Sequence, residues 1–102
     1  KAPAAGMKIS LSDEAIADVE RATDWYIEQD AWTAAEALQS ELHQALMRVA
    51  AGPGLGTPGA DGTRILPIHR FPISLVYRVQ GADIRVIAIA HQRRAPGFWR
   101  DR

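Results

Sequence analysis

The residues of this 102-residue chain best suited to chemistry are arginines and histidines in its second half. Arg64, His69, Arg70, Arg78, Arg85, His91, Arg93 and Arg94 fall within about thirty residues of one another. Arginine makes forked, charge-assisted bonds to carboxylate and phosphate. Histidine moves protons near neutral pH. Together such groups could neutralise a phosphate and cleave RNA, or hold an acidic protein surface. The residue types do not choose between the two. Other sites are missing from the sequence. There is no phosphate-binding glycine loop, no G-x-G-x-x-G and no H-E-x-x-H. His43, His69 and His91 lack metal-ligand spacing, and the chain has no cysteine for a disulfide or a thiolate site. Ser74 sits inside a strand pattern with no nucleophile elbow. No metal or cofactor is expected.

The charge distribution supports a basic face. Between residues 7 and 50 there are nine acids and three bases, a net of −6. Between residues 51 and 102 there are three acids and eight bases, a net of +5, and every base there is arginine. The zero net charge of the chain hides this asymmetry.

The elements that position these residues can be read from periodicity. Residues 1–6 (KAPAAG) show no pattern and are expected to be an appended remnant ahead of a natural start at Met7. Residues 7–102 are expected to form one domain. Lys8 to Leu11 alternates like a short strand. Ser12 is an N-cap, followed by Asp13 and Glu14 where the helix dipole favours acids. The spacing of Ile16, Val19, Thr23, Tyr26 and Ile27 predicts a helix over 13–29, with Asp18, Arg21 and Glu28 on its polar face. Trp25 and Tyr26 are adjacent, so at most one points fully inward. A second helix, capped by Asp30 or by Thr33 with Glu36, carries the stripe Ala34, Ala35, Leu38, Leu42, Ala45, Leu46, Val49 and ends near Ala50. Two helices so closely joined form an antiparallel hairpin.

Gly52 to Gly62 reads as one long loop, with five glycines and two prolines. Strands are expected at 63–67, 73–79 and 83–91, with a turn at Gln80-Gly81-Ala82. In the last strand, Ile84, Val86, Ala88 and Ala90 should share one face and Arg85, Ile87, Ile89 and His91 the other. Its apolar run marks it as central and covered on both sides. Tyr77 is expected to pack rather than to move protons, and Phe98 and Trp99 to pin the tail. The fold class is therefore α+β: a short N-terminal strand and an antiparallel helix hairpin packed on a small antiparallel sheet. No run is long enough to cross a bilayer and no signal peptide is visible, so a cytoplasmic protein is expected.

The series R-x-L-P (64–67), R-F-P (70–72), V-Y-R (76–78) and A-x-x-H-x-R-R-x-P-G-x-W (88–99) resembles the RelE/ParE toxin superfamily. Within it the chain is similar to ParE-like plasmid-stabilisation toxins, and the resemblance extends over nearly all of residues 7–102. It implies the toxin of a type II toxin–antitoxin system, held inactive by a ParD-like antitoxin and directed at DNA gyrase. Nucleic acid would be engaged only indirectly, and no membrane. It implies a surface for target or antitoxin built on Arg64, Arg70, Arg78, Arg93 and Arg94, with no catalytic residue. RelE-type relatives instead cut mRNA on the ribosome. That alternative would use His91 with Arg64, Arg78 and Arg93, but the chain has no tyrosine after Tyr77 and no lysine in its second half. A third possibility is a detoxified scaffold that only binds its antitoxin.

Overall fold

The computed structural model describes residues 8–92, 94–95 and 97–102. The segment 1–6, Met7, Arg93 and Pro96 lie outside the described residues. The element order is β1 (Lys8–Leu11), α1 (Asp13–Glu28), α2 (Trp32–Ala51), β2 (Thr57–Pro58), β3 (Arg64–Pro67), β4 (Ile73–Gln80) and β5 (Asp83–His91). The five strands form one sheet in the order β1-β5-β4-β3-β2. The meander β2–β5 is antiparallel, and β1 joins β5 in parallel, so the sheet is mixed. The parallel pairing needs a long connection, which the helix hairpin and the meander between β1 and β5 supply. The fold is α+β, two helices packed on this sheet.

Both helix boundaries have a local cause. Ser12 Oγ accepts from the Ala15 N–H at 3.1 Å and starts α1. α1 ends in a Schellman motif. Asp30 takes the left-handed conformation (φ 57°), its N–H donates to the Ile27 carbonyl, and the Ala31 N–H donates to the Tyr26 carbonyl. Asp30 is therefore used in closing α1 and does not cap α2. Thr33 lies inside α2, whose N-cap is Ala31 without a side-chain bond. Neither expected cap operates.

The helices bury Ala15, Leu38, Leu42, Ala45 and Val49 against Leu66, Ile73, Leu75, Tyr77, Ile84, Val86 and Ile89. The buried face of α1 is rotated from the expected one. Ala15 is fully buried and Ile16 is 44% exposed. Ala15 and Ala22 face the core, and of the expected stripe Val19 and Tyr26 still pack against it while Ile16 turns outward.

The sheet carries a β-bulge. Val76 pairs with Ala88 and Tyr77 with Val86, which leaves Ile87 as an extra residue. An extra residue inverts the alternation beyond it. Ile84, Val86 and Ile89 consequently pack on the helix side, while Ile87 and Ala88 join Val76 on the other face. The expected partition of Ala88 and Ile89 is thus reversed. Phe98 and Trp99 cover that second face, so β5 is covered on both sides.

Residues 52–63 are not structureless. β2 pairs with β3, and Ala60–Gly62 makes a 3-10 turn. The buried Tyr77 hydroxyl donates to the Pro53 carbonyl (2.7 Å) and accepts from the Gly56 N–H (2.9 Å). A Cβ on Gly56 would meet that hydroxyl at 2.9 Å, so only glycine allows the approach.

Candidate binding site at Asp18

The arginines of the second half do not gather at one place. Arg64 and Arg78 serve the glycine-rich segment. Arg64 Nη1 donates to the Gly56 and Gly54 carbonyls at 2.7 and 3.3 Å, and Arg78 Nε donates to the Asp61 carbonyl at 3.1 Å. Arg85 lies directly across from Arg78 in the register and donates to Ser10 Oγ. Arg70 sits in the β3–β4 turn at φ 73°, and 3.9 Å separates it from Glu41 on α2. Arg94 follows β5 and reaches α1.

His91 is at the opposite end of β5 from this group. Arg78 pairs with Arg85, six residues along the strand from His91. At about 3.4 Å per residue, that is roughly 20 Å. Arg64 pairs with Tyr77, which pairs with Val86, five residues from His91 and one strand further across the sheet. The register does not bring His91, Arg64 and Arg78 to one phosphate. Tyr77 is fully buried, and its hydroxyl is engaged as both donor and acceptor.

The concentration of charge lies elsewhere, at a residue the sequence assigns to the polar face of α1. The Asp18 side chain is only 1% exposed. Its position follows from spacing, since Ala15, Asp18 and Ala22 share the row of α1 that meets β5. β1 ends at Leu11, opposite Val86, so β5 lacks a strand partner on that side beyond this point. Asp18 takes the place of one. Its Oδ2 accepts from the Ile89 N–H at 3.0 Å. Arg102 completes the edge by donating to the Ile87 carbonyl at 3.1 Å and to Asp18 Oδ2 at 2.6 Å. Arg21, one turn along α1, donates to Asp18 Oδ1. Arg94 Nη1 stands 3.7 Å from the same oxygen, its guanidinium 3.9 Å from the centre of the Phe98 ring.

This cluster borders a groove of about 210 Å³ between α1 and the ends of β4 and β5. Ala22, Trp25, Tyr26, Ile73 and Ile89 give it an apolar lining, and Arg21, His91 and Arg94 add polar groups. Trp25 packs edge-on against Tyr26, and Tyr26 against Phe71, with centroids 5.0 and 5.6 Å apart. The two aromatic contacts fix the shape of this wall. Such a groove suits an apolar side chain beside a carboxylate. No group of ligands able to hold a metal ion occurs among the described residues, and no described helix is long and apolar enough to cross a membrane.

Comparison with known proteins agrees with the fold. A solved structure described as the chromosomal ParDE toxin–antitoxin system from P. aeruginosa matches with a TM-score of 0.73 at 24% identity, over 83% of this chain and 95% of that one. No curated protein matches the chain. The family model for the ParE toxin of the type II toxin–antitoxin system parDE matches residues 9–96, from β1 through the segment after β5. The chain belongs to the ParE toxin family, the toxin component of type II toxin–antitoxin systems.

Proposed function

We propose that this chain is a cytoplasmic toxin that inhibits DNA gyrase and is held inactive by a ParD-like antitoxin. The observation that carries the reading is membership of the ParE family over residues 9–96. The toxin acts by binding, and it touches nucleic acid only through its target. Its antitoxin presents an acidic and apolar tail to the arginine-bearing half and the helix hairpin. Charge complementarity favours such a partner, because residues 51–102 carry a net of +5. Arg70 and Arg94, with exposed guanidiniums, are better placed for this than Arg64 and Arg78, which hold the chain's own carbonyls.

The geometry weighs against ribonuclease chemistry, since a general base must reach the proton it takes and His91 stands roughly 20 Å along the sheet from Arg78. Purified gyrase tests the main reading. Excess toxin is expected to inhibit supercoiling or to accumulate cleaved DNA, and neither effect at excess would refute it. Cuts within codons of translated message, mapped by primer extension after induction, would favour the ribonuclease instead.

A further inference from the structure

Of the two arginines lining the groove, Arg94 is the one whose guanidinium has no hydrogen-bonded acceptor among the described residues. The cause is saturation of Asp18. A carboxylate offers about four acceptor positions. Oδ1 accepts from Arg21 and, at 3.3 Å, from Arg102 Nη2. Oδ2 accepts from the Ile89 N–H and from Arg102 Nη1. Arg94 arrives as a further donor and stops at 3.7 Å, beyond hydrogen-bond distance. Its other contact is the Phe98 ring. The guanidinium is therefore held in place by charge and by a ring face, 42% exposed, with its forked donors unused. Three arginines around one carboxylate also leave an excess of positive charge at the groove mouth.

We propose that Arg94 is a docking point for a carboxylate side chain of a peptide segment, with a neighbouring apolar side chain of that segment seated between Ala22, Tyr26, Ile73 and Ile89. That the segment belongs to the antitoxin tail rests on the proposed function; the chemistry of the docking point does not. A second carboxylate supplies the acceptor that Asp18 cannot, and it removes part of the excess charge. The apolar lining selects a peptide over a phosphodiester, which brings no aliphatic group to fill it. Asp18 acts here as a positioning residue, since it orients Arg94 without meeting the ligand.

N-acetyl-leucine is a minimal probe of this arrangement, a carboxylate beside an isobutyl group. Its uncharged analogue N-acetyl-leucinamide and inorganic phosphate are the comparisons. Titration of the full chain, followed by amide and guanidinium nitrogen NMR, reads the site without any antitoxin or gyrase. The carboxylate probe is expected to shift Ala22, Ile89 and the Arg94 Nε–H saturably, with the amide about tenfold weaker, the range of one charge-assisted bond. Arg94→Gln should reduce carboxylate binding to the level of the amide. Arg94→Lys should restore only part of it, because lysine lacks the fork. Arg78→Gln should change nothing. Equal binding of acid and amide, undiminished binding by Arg94→Gln, phosphate binding as tight as the carboxylate, or no binding at all would each overturn the proposal. A chain that inhibits gyrase and fails these titrations refutes the docking point alone. A chain that passes them and leaves gyrase untouched refutes only the gyrase reading.

Discussion

At the scale of single residues, arginine identity does not decide arginine function in this chain. Arg64 and Arg78 donate to backbone carbonyls of the glycine-rich segment, whereas the Arg94 guanidinium makes no hydrogen bond among the described residues. The difference lies in what each guanidinium meets after folding, which residue type alone does not encode. Tyr77 shows the converse. A tyrosine in a β-branched strand was readable as a packing residue, and it is fully buried. Its hydroxyl, however, reaches across to residues 21 and 24 positions earlier, Gly56 and Pro53. That contact fixes a segment whose composition suggests a loop. Tyr77→Phe removes the acceptor for one buried N–H and the donor for one carbonyl. A loss of about 1–3 kcal/mol is expected in urea denaturation, with residues 52–63 becoming open to proteolysis before the rest. An unchanged midpoint and an unchanged cleavage pattern would show that the hydroxyl does not hold the segment.

At the scale of elements, periodicity locates both helices and the strands β1, β3, β4 and β5, and β5 begins and ends where its alternation does. What periodicity could not show was the bulge. An apolar run of valine, isoleucine and alanine looks the same whether or not one residue is skipped, so strict alternation puts Ala88 and Ile89 on the faces opposite to those they occupy. The parallel pairing of β1 was equally hidden, because it is a contact between the two ends of the chain. Asp30 is a good N-cap type, but aspartate also tolerates the left-handed conformation, and here it closes α1 instead. This gives an element-level prediction. Asp30→Gly removes the Cβ strain at φ 57° and leaves the Schellman bonds in place. It also loosens the unfolded chain, which offsets part of the gain. A net stabilisation of about 0.5 kcal/mol is expected. A loss of more than that in thermal denaturation would mean that the aspartate side chain contributes something the backbone bonds do not.

At the scale of the whole molecule, the charge asymmetry that marks the two halves of the sequence has a structural meeting point. Asp18 comes from the acidic half and Arg94 and Arg102 from the basic half, joined across a separation of 84 positions in the case of Arg102. The tail covers the sheet's second face through Phe98 and Trp99 and then returns around the β5 edge to the helix side. Asp18 thus holds three layers together: helix, strand edge and tail. Removing it leaves Arg102, whose side chain is 15% exposed, without its anion, and leaves the Ile89 N–H without its acceptor. Asp18→Ala is expected to cost on the order of 3 kcal/mol. Arg21 and Arg94 keep contact with water and so add little to that figure. Arg102→Gln alone should cost less, since Asp18 retains Arg21 and the backbone donor. Because the two side chains share one bond network, the double variant should fall short of the sum of the singles by about 1–2 kcal/mol. Urea denaturation of the four chains measures that difference. Additivity within about 0.5 kcal/mol would mean that Asp18 and Arg102 act independently, and that the tail is held by its aromatic residues alone.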